Sequence, residues 1–138
     1  MDSGGIARAS SDGLQLAGPG GRSILLKAGS TETQGAYSLL KFTAPPGSPW
    51  STHHVHAATE AWYVLDGELT FRLGETILPA PAGSFVLAPG GTPHSQVNSA
   101  PTRRVVGDLL TRRVRGFLST AQPAHRERPA QPASPRCA

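Results

Sequence analysis

Four of the five histidines in this chain of 138 residues lie in two short segments. His53, His54 and His56 fall close together, and His94 follows a turn rich in proline and glycine. Residues two apart on a strand project to the same side, so His54 and His56 can reach one point, whereas His53 and His54 cannot. Imidazole nitrogens are common ligands of transition metals. The spacing therefore predicts a metal site that contains His54, His56 and His94.

A single carboxylate accompanies these histidines on the expected inner face of a β-hairpin. Asp66 and Gly67 separate two runs of alternating residues and suit a two-residue type I′ turn, in which both residues need a positive φ. Val64 then lies opposite Leu69, and opposed residues share a face. That face is apolar apart from its carboxylate: Glu60, Trp62, Val64, Leu69, Phe71 and Leu73. Because a lone buried carboxylate is costly unless it is paired or bound to a cation, Glu60 is predicted to join the site.

Three imidazole nitrogens and one carboxylate oxygen form a ligand set of intermediate softness. Such a set suits a divalent transition metal better than calcium or magnesium. We expect one ion, with iron(II) or manganese(II) preferred and nickel(II), cobalt(II), copper(II) or zinc(II) as alternatives. Four protein ligands on an octahedral ion would leave up to two positions for water, dioxygen or substrate. Open positions are typical of a reactive site rather than a closed structural one.

The residues around these candidates have the pattern of an all-β domain. Glycine (16) and proline (13) divide the chain at short intervals, and no segment in its body has a sustained helical period. Strand-length runs between such turn signals predict an antiparallel barrel or sandwich. The predicted strands are Ser23–Lys27, Ala36–Thr43, Glu60–Leu65, Glu68–Leu73, Ser84–Ala88, His94–Asn98 and Arg103–Leu110, with a further short one near Leu14–Leu16.

Composition divides the chain into three parts. Residues 1–22 are expected to be a loose arm, residues 23–112 a single β-barrel domain, and residues 113–138 a disordered tail rich in proline, alanine and arginine. The net charge of +4 belongs to the C-terminal part, because residues 1–102 carry −2 and residues 103–138 carry +6. The arginines of the tail are not interleaved with aromatic residues, so no nucleic-acid partner is expected.

The sequence also gives an expected location. No apolar run approaches the roughly 20 residues needed to span a bilayer, and the first residues have no apolar signal core. Cys137 is the only cysteine, which excludes an intramolecular disulfide. We expect a cytoplasmic protein without a membrane partner.

The candidate residues resemble the two sequence motifs of the cupin superfamily. The first motif, His-x-His and Glu between two glycines, corresponds to Gly47, His54, His56, Glu60 and Gly67. The second motif corresponds to Gly83, Pro89, Gly91, His94 and Asn98. The chain departs from the usual pattern in one respect. Six residues rather than the usual five separate Gly47 from His54, which leaves His53 as a rival first ligand.

The resemblance implies a cupin double-stranded β-helix, or jelly-roll barrel, with His54, His56, Glu60 and His94 as the metal ligands. The run 60–74 is similar to small single-domain bacterial cupins of the quercetin-dioxygenase-like type. Cupins of this size commonly pair through edge strands, since an isolated small barrel leaves sheet edges exposed. A homodimer is therefore expected.

We accordingly expect a metal-dependent oxygenase that acts on a small enolic or phenolic molecule. Glu60 would be the catalytic general base that accepts the acidic proton of the substrate. The cavity would be mostly apolar, as small-molecule sites tend to be. Its expected lining is Trp62, Val64, Leu69, Phe71 and Gln96. Lys41 and Arg72 are expected to face away from the metal, and a cavity poor in cations argues against a sugar-phosphate isomerase.

Two alternatives to the oxygenase stay open. A non-redox lyase, isomerase or cyclase would use the same ligands, and the sequence does not separate it from an oxygenase. A non-catalytic module that binds a small molecule or a metal would also retain them. For Trp62 and Phe71, plain packing in the core is as good an interpretation as cavity lining.

Overall fold

A computed structural model describes residues 4–112 as nine strands and one short 3-10 helix, Pro19–Gly21. The strands in chain order are β1 (Leu14–Ala17), β2 (Ser23–Ala28), β3 (Ser38–Ala44), β4 (Glu60–Asp66), β5 (Glu68–Leu73), β6 (Thr76–Pro81), β7 (Phe85–Ala88), β8 (His94–Val97) and β9 (Val105–Thr111). Within these residues no helix is long and apolar enough to cross a membrane.

The strands form two antiparallel sheets. One sheet has the order β1-β2-β3-β9-β4-β7, and the other has the order β6-β5-β8. Buried apolar side chains from both sheets make one cluster, in which the rings of Trp62 on β4 and Phe71 on β5 lie 5.2 Å apart. Two antiparallel sheets around a shared core confirm the predicted jelly-roll architecture.

Side chains alternate between core and surface along the central strands. Every second residue of β3, from Ser38 to Ala44, is buried, and β9 follows the same period. The inner face predicted for β4 and β5 is confirmed. Leu73 packs against the core, and the other five members of that face are buried: Glu60, Trp62, Val64, Leu69 and Phe71.

The predicted hairpin between β4 and β5 is wrong. Strand β4 pairs with β7 and β9, whereas β5 pairs with β6 and β8, so the two strands lie in different sheets. Asp66 and Gly67 form a corner in which only Gly67 has a positive φ, of 80°. A type I′ turn needs a positive φ at both positions. The glycine instead allows a close approach to β9, because a Cβ on Gly67 would lie 2.6 Å from the carbonyl oxygen of Arg104.

Strand β6 was not predicted, and its composition explains the omission. It contains Pro79 and Pro81, which interrupt the usual strand signal. Proline cannot donate a hydrogen bond to a neighbouring strand and is therefore confined largely to edge strands. Strand β6 is an edge strand, paired with β5 alone.

The barrel begins earlier than residue 23. The short strand predicted near Leu14–Leu16 is present as β1, which pairs with β2 and buries Leu16. Arg8 donates to the carbonyl oxygen of Lys27 and pairs with Glu32, so part of the predicted loose arm is attached to the sheet. The predicted tail 113–138 lies outside the described residues.

The corner at Gly67 gives a test of this fold. Gly67→Ala should destabilise the protein through its positive φ and through overlap with Arg104, whereas Gly35→Ala has the same φ (79°) but open space around the added methyl group. We expect a loss of about 1 kcal/mol for Gly35→Ala and of about 1–3 kcal/mol more for Gly67→Ala, measured by urea unfolding. Equal losses would show that β9 does not pack against the corner.

Candidate metal centre

The candidate ligands come from one loop and the starts of two strands. His54 and His56 lie in the loop between β3 and β4, Glu60 begins β4, and His94 begins β8. The loop is joined to β8 by two backbone hydrogen bonds, from His54 N to His94 O (3.2 Å) and from His94 N to His54 O (2.9 Å). This isolated bridge places the two histidines side by side.

The structure brings the four candidate ligands together. Each of His54, His56, Glu60 and His94 offers one ligand atom, and these atoms all lie within 4.8 Å of one another. One carboxylate oxygen of Glu60 lies 3.1 Å from His94 Nε2, and the other lies 3.5 Å from His56 Nε2. Three imidazoles and one carboxylate converging on a point could hold a divalent transition metal.

Backbone carbonyl groups fix the orientation of two of the rings. The Nδ1 atom of His54 bonds the carbonyl oxygen of Thr52 (2.7 Å), and that of His94 bonds the carbonyl oxygen of Thr92 (2.9 Å). A metal-binding histidine typically donates its second ring N–H to such a group, which sets the tautomer and leaves the other nitrogen as the ligand. Both rings therefore present Nε2 to the site. The sequence did not predict these contacts.

His53 lies outside this group. Its side chain is exposed, and its Nδ1 bonds the hydroxyl group of Ser95 (3.3 Å). His54, one residue further on, turns to the opposite side and joins the cluster. The extra residue after Gly47 therefore does not move the first ligand position to His53.

Two opposing effects set the charge of the Glu60 carboxylate. Burial raises its pKa, while the hydrogen bond from His94, the charges of His56 and His94, and a hydrogen bond from Thr111 lower it. The balance holds the pKa of Glu60 below its ordinary value. The group is thus an anionic candidate ligand at neutral pH, although its residue is only 2% exposed.

The turn before β8 holds the histidine loop in place. Gly91 N donates to the carbonyl oxygen of His56 (2.8 Å), and Gly90 N donates to the hydroxyl group of Thr59 (3.1 Å). A Cβ on Gly90 would lie 2.0 Å from the carbonyl oxygen of Ala57. This position needs a glycine because the two backbones touch.

Asn98 stabilises the segment of chain that leads from β3 into the same loop. Its side-chain amide donates to the carbonyl oxygens of Ala44 (3.2 Å), Pro45 (3.0 Å) and Arg103 (2.8 Å), and the residue is fully buried. These bonds tie the end of β3 to the segment before β9. Asn98 is thus a structural part of the second motif rather than a ligand.

A cavity of about 160 Å³ adjoins the ligands. Its wall is largely apolar: Pro19, Ile24, Leu40, Phe42, Trp62 and Leu109. Two of the candidate ligands, His54 and Glu60, are among its polar lining residues. The others are Arg22, Ser51, Thr52 and Gln96. The arrangement can accommodate a small, mostly apolar molecule with polar groups at a few fixed points.

The cavity differs in part from the predicted pocket. Trp62 and Gln96 line it, but Val64, Leu69 and Phe71 are fully buried in the core cluster and do not. They lie further along β4 and β5 from the ligands, where the two sheets pack directly against each other. Strands β2, β3 and β9 supply much of the wall instead.

Arg22 is the functional candidate that the sequence did not indicate. The cavity was predicted to be poor in cations, and Arg22 is the one lysine or arginine among the described residues that line it. Lys41 and Arg72 do not line it, as predicted. Arg22 stands between the 3-10 helix and β2, in a stretch without a periodic pattern. No local signal distinguishes it from a surface arginine.

Comparison with known proteins agrees with this geometry. A protein-family model described as a cupin domain matches residues 40–106, which include all four candidate ligands. The chain carries a cupin domain. No curated protein sequence matches the chain.

Solved structures share the cupin fold. A predicted oxalate decarboxylase from Thermotoga maritima superposes with a TM-score of 0.68 at 18% identity, over 77% of this chain and 96% of that one. KdgF from a Halomonas species gives 0.65 at 21% identity, over 82% and 97%. The polyketide cyclase RemF from Streptomyces resistomycificus gives 0.65 at 18% identity, over 77% and 78%. At these identities the likeness concerns the fold.

The two adjacent histidines of the loop provide a matched pair for a binding test. His54→Ala removes a candidate ligand nitrogen, whereas His53→Ala removes an exposed ring one residue away. Changes in the groups that merely support a ligand weaken metal binding by about 10–100-fold. We therefore expect His54→Ala to weaken cobalt(II) binding by at least about a hundredfold and His53→Ala to leave it unchanged, measured by absorbance titration. The reverse ranking would move the first ligand to His53.

Proposed function

We propose that this cupin is a metal-dependent oxygenase acting on a small enolic or phenolic molecule. The observation that carries the proposal is the meeting of three histidines and Glu60 at the edge of a small, largely apolar cavity. A bound divalent metal would supply Lewis acidity and, for iron(II) or manganese(II), redox chemistry with dioxygen. The ligand set fits such an ion in both number and kind.

Glu60 has a second role in this proposal. Its carboxylate is buried, anionic and part of the cavity wall, so a substrate hydroxyl group can approach one of its oxygens. A general base must lie within hydrogen-bond reach of the proton that it accepts. Acceptance of the enol or phenol proton by Glu60 would leave the substrate as an oxyanion, and Trp62 and Leu40 would keep water away from it.

A non-redox lyase, isomerase or cyclase is the second candidate. It would use the same four residues, with Glu60 again accepting a proton. Similar structures include a predicted oxalate decarboxylase and a polyketide cyclase, so such chemistry is associated with the same fold. The buried Arg22 in the cavity wall favours a substrate with an anionic group, which either candidate can use.

Oxygen consumption tests the first candidate. The purified chain, with its metal identified by mass spectrometry, should consume oxygen with at least one member of a panel of single-ring catechols and small enols. Glu60→Gln should abolish turnover because the amide cannot accept the proton. Glu68→Gln removes an exposed carboxylate on β5 and should have no effect. Unchanged turnover in Glu60→Gln would exclude this residue as the base.

The remaining outcomes of this panel separate the alternatives. Conversion of a substrate without oxygen uptake would support the lyase, isomerase or cyclase. The absence of metal-dependent turnover on every compound would support the binding module.

The homodimer and the cytoplasmic location stay predictions. Strand β7 is an edge of the larger sheet, and its Phe85 side chain is 65% exposed. Tyr63 lies opposite Phe85 on β4 and is also exposed. An edge strand with apolar outward residues is the kind of surface through which a second copy of the chain could pair.

A further inference from the structure

Arg22 is a buried cation in the wall of the cavity. Its residue is 7% exposed. The guanidinium group donates to the carbonyl oxygens of Pro19 (3.3 Å), Pro49 (2.8 Å) and Gln96 (3.5 Å). All three acceptors are neutral backbone groups. Since a guanidinium has five N–H donors, these bonds do not exhaust its capacity.

No carboxylate balances this charge within the described part of the chain. The ion pairs of residues 4–112 join other groups, and no Asp or Glu oxygen lies within 4.0 Å of Arg22. Glu60 is the acidic residue among those lining the cavity, and it is bound to His94. Burial accordingly lowers the pKa of Arg22 below its ordinary value. A buried charge is costly unless it is paired, so an anion entering the cavity would relieve that cost.

The position of Arg22 suits a molecule that also reaches the metal ligands. Its acceptor Gln96 lies two residues along β8 from His94, a separation of about 6.6 Å on a strand. Gln96 and His94 share one face of that strand, and Gln96 lines the same cavity. Arg22 and two of the candidate ligands, His54 and Glu60, therefore line one cavity.

The volume of the cavity limits the size of the molecule that it can hold. A cavity of about 150 Å³ in another protein holds one benzene molecule, and this one measures about 160 Å³. Its walls are largely apolar. One ring, or a short chain of similar size, fills it.

We propose that Arg22 binds the anionic group of a small, single-ring-sized organic acid whose other end lies at the metal ligands. This inference rests on the proposed function, because it places the substrate in the same cavity and specifies its class. The guanidinium is a binding group that selects acids over neutral molecules of equal shape. A charge-assisted hydrogen bond of this kind is worth about a tenfold to a hundredfold change in affinity.

A pair of probes of equal shape tests the proposal. Benzoate and benzamide differ in charge and little in size, and their affinities for the metal-loaded chain can be measured by calorimetry. Wild-type protein should bind benzoate about tenfold to a hundredfold more tightly than benzamide. Arg22→Gln should remove most of that preference, and Arg22→Lys should retain part of it. Arg72→Gln, which removes a cation outside the cavity, should leave it unchanged.

Several outcomes would overturn the proposal. Arg22 would be a structural residue if the wild type bound both probes with equal affinity or failed to bind benzoate. The same conclusion would follow if Arg22→Gln lowered the affinity for both probes equally. If Arg22→Gln does not fold, NMR of wild-type protein decides the matter. The Nε–H signal of Arg22 should shift with benzoate and not with benzamide, and an unmoved signal rejects the contact. Because no turnover is measured, this result is independent of oxygen uptake.

Discussion

The rest of the site depends on the burial of one negative charge. Glu60 is 2% exposed at the start of a strand whose other inward residues are apolar. An isolated carboxylate in that place would be strongly unfavourable, and imidazole rings from two other segments surround it. Their approach requires a backbone bridge between the histidine loop and β8, and a glycine at position 90 where the two backbones touch. The bridge and the glycine thus allow the two loops to enclose the charge of Glu60.

Residue spacing was sufficient to predict the ligand cluster because its constraints are local. Alternation along a strand separates His54 from His53, and the inward parity of β4 singles out Glu60. The motif around His94 adds the fourth member. What could not be predicted is how the strands pair. The Asp66-Gly67 signal is as compatible with a corner as with a hairpin, and the choice is made by β9, whose backbone approaches Gly67 from far along the chain.

The lining of the cavity could also not be predicted fully from the sequence. Much of its wall comes from β2, β3 and β9, so a pocket inferred from β4, β5 and β8 contained three core residues and omitted the cation. Arg22 lies between the 3-10 helix and β2, and carbonyl groups distant in sequence hold its guanidinium. A buried arginine with only neutral acceptors is visible in three dimensions and has no counterpart in local sequence pattern.

The central claim is that one metal ion is bound by His54, His56, Glu60 and His94. Crystals of the chain grown with zinc(II) and measured at the zinc absorption edge test it most directly. We expect one anomalous peak per chain, about 2.0–2.2 Å from a nitrogen of each of the three histidines and from an oxygen of Glu60. The claim would be contradicted if no anomalous peak lay at this position. It would also be contradicted by a peak that Glu60 does not coordinate or that His53 does.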